Sequence, residues 1–406
     1  MLSIHVMHQA MAYRAMSSAV RDILAALLAF DTTSRESNLA LIAWIADFLA
    51  QRGIASQRFM DDSGRKANLY ARLGPGGDGG VMLSGHTDVV PVDGQQWTLP
   101  PFALTQQDGR YYGRGSADMK GFLACVLASL DSFLAQPLRL PLHLAFSYDE
   151  EVGCLGVRSM VQYLRACAEK PAMCIIGEPT QMRPVYGHKG KVAMRCQVHG
   201  RACHSAYAPS GVNAIEYAAK LINRLGDAAQ QLKPVQDARF DPPYSTLQTG
   251  VIQGGSALNI VPQDCQFDFE IRYLPDVNVR GVISQVEQFA QRQLLPQMQA
   301  VAAESAIHFQ PLSHYPGLLT DPQSPFAQWL VQWSGSDDFS TVAFGTEGGL
   351  FDEAGIATLI CGPGSMEQGH KPDEFIATEQ IDRCMAMLDN LCQWMRCISL
   401  KSGIVG

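Results

Sequence analysis

Five segments of this chain run from apolar or glycine-rich residues straight into a histidine or a carboxylate. They are SGHTDVV (His86, Asp88), GRGSADMKG (Asp118), SYDEEVG (Glu150, Glu151), IIGEPT (Glu178) and GPGSMEQGHKPDEF (His370). Most of them follow a stretch that reads as a buried strand. Strands of a parallel sheet are covered on both faces and read as unbroken apolar runs. Open α/β sheets bind ligands beyond the carboxyl ends of their strands. The pattern therefore asks for a sheet with polar side chains from distant segments gathered at one edge. Carboxylates gathered in that way repel each other and resist burial unless a cation is present. A donor set of His, Asp and Glu suits Zn²⁺ and similar divalent ions.

Each residue alone has a plainer reading. A lone histidine at a strand end is usually structural, and Asp118 could cap the helix that follows it. Glu178 before Pro179 could end a strand at solvent, and Asp88 could be a turn acid. Recurrence at the same structural position weighs against these readings taken together.

Between the motifs, the spacing predicts an α/β rhythm. Ala19 to Arg52 has helical apolar spacing, broken around Asp31–Ser34. Strands are expected at Asn68–Leu73, Val81–Ser84, Leu140–Ser147 and Ala172–Ile176, with helices at Gly121–Leu134 and Gly156–Ala168. From about His188 the texture changes to half-buried alternation: strands at Val192–His199, Leu247–Gln253 and Asp264–Tyr273, helices at Asn213–Leu225 and Arg280–Gln293. This is a β-α-β-β-α pattern, an inserted α+β sandwich. The α/β texture resumes with a strand at Thr358–Cys361 and a helix at Glu379–Arg396. The expected division is 1–187 and 304–406 for the α/β domain and 188–303 for the insertion, with residues 1–18 as a poorly defined extension. A chain of 406 residues fits two domains.

Composition narrows the classes of function. The net charge is −8 and no run of five basic residues occurs, so nucleic-acid binding has no electrostatic support. The eleven cysteines are scattered without a CxxC pair, which reads as free thiols in a reducing compartment, and a cytoplasmic location is expected. No membrane span and no signal peptide are expected. GPGGDGG contains a GxGxxG match (Gly74, Gly76, Gly79), but a strand follows where phosphate binding needs a helix, so a hairpin turn is expected. No GxSxG elbow is present. Cys203 and His204 are neighbours in sequence, which does not make a catalytic pair.

Taken together, GHTDVVP, GRGSADMKGF, SYDEEVGCLG, GEPT and the distant C-terminal GH resemble the M20 di-zinc amidohydrolases and peptidases, from about residue 20 to the end. The resemblance implies a catalytic α/β/α domain with a mixed sheet and an inserted lid and dimerisation domain. It implies that His86 and Glu178 hold one divalent metal ion, that Glu151 and His370 hold a second, and that Asp118 bridges them. Zn²⁺ is the first expectation, and Co²⁺ and Mn²⁺ suit the same ligands. Asp88 would fix the tautomer of His86. Glu150 would be the general base, and the peptide bond after Asp118 would be cis. His204 would reach the neighbouring subunit's site in a homodimer. Asn259 and Arg272 would contact the substrate carboxylate, and Glu347 is a further candidate substrate contact. Asp149 is left as a structural turn acid.

Within the family, GRGSADMKGFLA, SYDEEVGCLGV, FDPPYSTLQTGVI and CGPGSMEQGHKPDEF are similar to the branch that removes the acetyl group from N2-acetyl-L-ornithine in arginine biosynthesis. Alternatives are removal of succinyl from succinyl-diaminopimelate, or a broad N-acyl-amino-acid deacylase. From another class, a metal-binding protein without catalysis is weighed and disfavoured by the intact Glu150.

Overall fold

The computed structural model describes residues 18–398. The extension expected over residues 1–18 lies outside them except for Ser18. Two compact units are present. The first takes the chain up to Gly187, Leu319–Thr341 and the chain from Thr346, and the second takes His188–Leu318 with Val342–Gly345.

The first unit is built on a mixed sheet. Its strands are, in spatial order, β1 (Ser56–Met60), β2 (Ala67–Leu73), β6 (Leu142–Ser147), β3 (Val81–His86), β7 (Met173–Pro179), β15 (Ala357–Gly362), β8 (Val185–His188) and β13 (Leu318–Leu319), with β14 (Ser340–Val342) paired to β8. The four central strands β6, β3, β7 and β15 are parallel. Every residue of β3, β6 and β7 is buried, as their unbroken apolar runs require. A small antiparallel sheet joins β4 (Thr105–Gln107), β5 (Arg110–Tyr112) and β16 (Phe375–Ala377). Helices α1 (18–28), α2 (Leu39–Ala50), α3 (Lys120–Leu134) and α4 (Arg158–Ala166) come before the insertion. The expected break at Asp31–Ser34 separates α1 from α2.

In the inserted unit, an antiparallel sheet has the order β10 (Thr246–Gly254), β11 (Asp264–Tyr273), β9 (Gly190–His199), β12 (Ala306–Tyr315). β9 and β11 alternate between buried and half-exposed residues, so one face packs on the unit's own core with α5 (Ala214–Leu232) and α6 (Val279–Phe289). A π turn, Ala290–Leu294, links α6 to α7 (Leu295–Val301). The chain then returns to the first unit with α8 (Pro325–Ser334), α9 (Gly348–Asp352) and α10 (Thr378–Cys397), and α10 packs against both α3 and α8.

Two expectations are corrected. The insertion does not end at residue 303, because β12 pairs with β9 and extends the unit to Leu318. The register shifts between Pro311 and Ser313, which breaks the alternation that marks a strand in sequence. GPGGDGG is not a hairpin turn either. β6 lies between β2 and β3, pairing antiparallel with one and parallel with the other. The glycines carry the chain over the start of β6: Gly80 has φ +84, and a Cβ there would lie 2.0 Å from the Pro141 carbonyl oxygen.

Candidate metal centre

The parallel strands place the ligand candidates. β3 ends on His86, β6 ends just before Tyr148–Glu151, β7 carries Glu178, and β15 leads into the loop that bears His370. α3 begins directly after Asp118–Met119, a peptide bond that is cis. This helix lies against the sheet because β7 and β3 offer glycines beneath it. A Cβ on Gly177 would stand 2.0 Å from the Phe122 ring, and one on Gly85 would stand 2.5 Å from the Met119 methyl. Those glycines let α3 approach closely enough to bring Asp118 to the strand ends.

Asp118 presents one carboxylate oxygen to each histidine. Oδ1 is 3.1 Å from His86 Nε2, and Oδ2 is 3.2 Å from His370 Nε2. Glu178 Oε1 lies 3.7 Å from His86 Nε2, and Glu151 Oε2 lies 3.0 Å from His370 Nε2. Donor atoms of His86, Asp118 and Glu151 fall within 4.8 Å of one another, and so do those of His86, Glu150 and Glu178. Two histidine nitrogens and four carboxylates, Asp118 among them, suit a pair of hard-to-borderline divalent ions.

Asp88 acts in two ways. His86 Nδ1 lies 2.9 Å from the Asp88 main-chain oxygen and 3.5 Å from its carboxylate. Donation to the main-chain oxygen leaves Nε2 free as a ligand. The Asp88 carboxylate accepts the backbone N–H groups of Glu150 (3.2 Å) and Glu151 (3.3 Å) and the Ser34 hydroxyl (2.7 Å). It therefore shapes the acidic turn as well as facing His86.

The electrostatics are those of anions gathered in a dry place. Burial pushes the carboxyls of Glu150 and Glu178 well above the usual range, and the neighbouring acids add to the shift. Burial and then the Asp118 charge take Glu151 up to about 7. His86 is pulled down by its own burial, but the hydrogen bonds to Asp118 and Asp88 prevail and raise it. Hydrogen bonds to Asp118 and Glu151 hold His370 up at about 10. These groups retain protons that a bound cation would displace.

The three acids of SYDEEVG separate in space. Asp149, at φ +55, pairs with Lys66, with Nζ to Oδ1 at 2.6 Å. Glu150 is half-buried, and the Cys154 thiol donates to its Oε1 at 3.4 Å. Glu151 faces His370. Glu347 is 2% exposed, and its Oε1 has no hydrogen-bond partner. Burial takes its carboxyl up to about 7.

The remaining candidates lie in the inserted unit. His204 is exposed and caps the 3₁₀ turn Ser205–Ser210, with its Nδ1 accepting the Ala206 N–H at 3.1 Å. In the neutral ring the proton then sits on Nε2. Cys203 does not bond to this ring; its thiol donates to the Tyr207 carbonyl at 3.3 Å. Asn259 is exposed, with its main-chain oxygen accepting the Ser205 N–H at 3.0 Å. Arg272, half-buried, donates from Nη1 to the Tyr315 hydroxyl at 2.9 Å and from Nε to Glu270 at 3.4 Å.

Four residues that support this centre escaped the sequence reading: Lys66, Gln95, Arg114 and Glu374. Arg114 and Glu374 form a buried ion pair of 2.6 Å. Their signal was present, because each stands in a ligand motif, GRGSAD or GHKPDEF, as a charge with no assigned task.

The sequence profile described as Peptidase family M20/M25/M40 matches residues 82–394. An acetylornithine deacetylase of Myxococcus xanthus is 36% identical over 377 residues, covering 91% of this chain and 96% of that protein. One from Pasteurella multocida (strain Pm70) is 34% identical over 361 residues, covering 88% and 91%. Among solved structures, an M20 family metallo-carboxypeptidase of Sulfolobus solfataricus aligns with TM-score 0.74 at 17% identity, covering 92% of this chain and 98% of that one. A dinuclear metal binding peptidase of the same family from Bacillus subtilis aligns with TM-score 0.63 at 14% identity, covering 93% and 98%.

Proposed function

The chain belongs to peptidase family M20/M25/M40, and from that premise we propose that it is a metal-dependent amidohydrolase that converts N2-acetyl-L-ornithine to L-ornithine and acetate, a step of arginine biosynthesis. The observation that carries the chemistry is Asp118, with one oxygen toward His86 and the other toward His370. The substrate rests on the acetylornithine deacetylases that are 34% and 36% identical over about nine-tenths of the chain.

In this reading His86 and Glu178 would hold one ion, Glu151 and His370 would hold the other, and Asp118 would serve both. Two divalent ions, Zn²⁺ first among them, would supply an acidified water and polarise the acyl carbonyl. Glu150 takes the proton of the attacking water on its carboxylate and delivers it to the leaving amine. Its partial burial favours that exchange, because desolvation raises a carboxyl's hold on a proton. His204, with its proton on Nε2, donates to the developing oxyanion. Arg272, already oriented by Tyr315 and Glu270, binds the substrate carboxylate through its planar fork, and Asn259, carried by the loop between β10 and β11, is a second proposed carboxylate contact.

The protein works as a homodimer in this proposal. β10 is an edge strand of the inserted sheet, and Val251 and Ile252 on it are 48% and 51% exposed. Open, apolar strand edges recruit a partner strand. A cytoplasmic location accords with eleven free cysteines. No helix among the described residues is long and apolar enough to cross a membrane.

The test is turnover of N2-acetyl-L-ornithine against N-succinyl-diaminopimelate and a set of N-acyl amino acids, with Zn²⁺, Co²⁺ or Mn²⁺ loaded. A clear preference for acetylornithine supports the reading. Preference for the succinyl substrate would move the protein to another branch, and no hydrolysis at full metal loading would leave a binding protein.

A further inference from the structure

A chain of polar groups, buried at Glu374 and Arg114 and half-exposed at Gln95, connects the backbone at Asp118 to the backbone at His370. Pairing of β16 with β5 sets Glu374 beside Gly113, whose N–H donates to the Glu374 carbonyl at 2.9 Å. The Glu374 side chain then turns toward the metal loop. Its Oε1 accepts the backbone N–H groups of Ala117 at 2.9 Å and Asp118 at 3.0 Å. Its Oε2 accepts from Arg114 Nη1 at 2.6 Å. Arg114 lies over the Trp97 ring, 5.0 Å from its centroid, and its Nη2 donates to Gln95 Oε1. Gln95 Nε2 donates to the main-chain oxygen of His370 at 2.8 Å.

An ion pair in which both side chains are 1% exposed needs a reason. Desolvation of two charges takes back most of what their attraction gives, and apolar residues of the same size would hold the fold as well. The pair's remaining hydrogen bonds point to the two segments that carry the bridging acid and the second histidine. His370 itself sits at φ +62, a conformation that a side-chain residue adopts only when its surroundings hold it there. The metal-ligand geometry depends on where those two backbones stand relative to each other.

We propose that Glu374, Arg114 and Gln95 form a positioning unit that sets the distance between Asp118 and His370 and so sets the affinity for the metal pair. The unit touches neither substrate nor the water. It rests on the metallohydrolase reading above.

The experiment compares wild type, Gln95→Ala and Glu374→Gln. Gln95 is half-exposed, so its truncation severs the link to His370 without emptying the core. Zn²⁺ affinity is read by competition with a chromophoric chelator, the Co²⁺ ligand-field spectrum reports the coordination geometry, and thermal melts of metal-stripped protein report the fold. Supporting residues of this kind typically change metal affinity about 10–100-fold. The expected result is a loss of that size in both variants, a changed Co²⁺ spectrum in Glu374→Gln, and a metal-free melt of Gln95→Ala that matches wild type. Wild-type affinity and spectrum in both variants would overturn the positioning unit and leave the metallohydrolase reading standing. A wild-type chain that takes up no divalent ion would overturn both.

Discussion

Lys66 Nζ lies 2.6 Å from Asp149 Oδ1, and each side chain is 17% exposed. The pair turns Asp149 away from the acids that follow it. Lys66 also donates to the Ser34 main-chain oxygen, and Ser34 in turn donates to Asp88. Asp149→Asn is expected to lower stability by about 1–2 kcal/mol, the size of a charged hydrogen bond in a partly shielded place. Metal content and turnover should stay within a few-fold of wild type. Chemical denaturation and metal analysis on the same preparation check this, and loss of bound metal would contradict it.

Glu150→Gln keeps the shape of the side chain and removes its ability to take a proton. A fall in kcat of about 10²–10⁴-fold is expected, with the metal complement retained. Steady-state kinetics alongside metal analysis separate the two quantities. Near-normal turnover in the fully loaded variant would remove Glu150 from the base role.

His370 and Glu151 each contribute a pH dependence of definite sign to the metal-free protein. Folding raises His370 to about 10 and Glu151 to about 7. Both therefore bind more protons when folded than unfolded, His370 between its ordinary value and about 10, Glu151 between its ordinary value and about 7. Stability falls with rising pH wherever the folded state holds the extra protons. The His370 contribution is complete below about pH 6.5 and lost as the pH passes 10. The stabilisation of chelator-stripped wild type over His370→Asn should therefore shrink from about pH 6 toward about pH 10, a comparison that cancels the opposite contribution of buried Lys120, whose amine burial holds down at about 7, and metal uptake at neutral pH should release protons. Calorimetry in buffers of different ionisation enthalpy measures that release.

Gly177→Ala tests why α3 lies where it does. The added Cβ would stand 2.0 Å from the Phe122 ring, so the helix must move away from β7. Overpacking of this kind costs about 3 kcal/mol, and Asp118 moves with the helix. Denaturant midpoints should fall, and Phe122→Leu combined with Gly177→Ala should recover part of the loss. A wild-type midpoint for Gly177→Ala would show that the contact can relax.

Much of this arrangement was legible in the sequence, and the reasons are physical. Strands β3, β6 and β7 are buried on both faces, so their apolar runs announced them, and the histidine and carboxylates at or just beyond their ends announced the candidate site edge. What stayed hidden depended on pairing. β12 was missed because its register shifts near Pro311. The crossing of β6 between β2 and β3 leaves no local mark. Glu374 and Arg114 meet only because β16 pairs with β5, and no spacing within either motif encodes that. Likewise, the sequence assigned Asp88 to His86, but the fold also gives its carboxylate the backbone of Glu150 and Glu151.

The role of His204 can be tested by mixing two inactive proteins. The neutral imidazole carries its proton on Nε2, because Nδ1 accepts the Ala206 N–H, and it sits exposed at the start of a 3₁₀ turn. If each active site takes this donor from the neighbouring copy, His204→Ala and Glu150→Gln homodimers are both nearly inactive. Random re-pairing of the two yields about half heterodimers, each with one intact site of two, so about a quarter of wild-type activity should return. A donor acting within its own chain gives a different result, since every site would then carry one of the two lesions and nothing would return. Activity assayed before and after dissociation and re-association of a one-to-one mixture distinguishes the cases. Recovery also requires a dimer, so size-exclusion chromatography of each variant belongs with the assay.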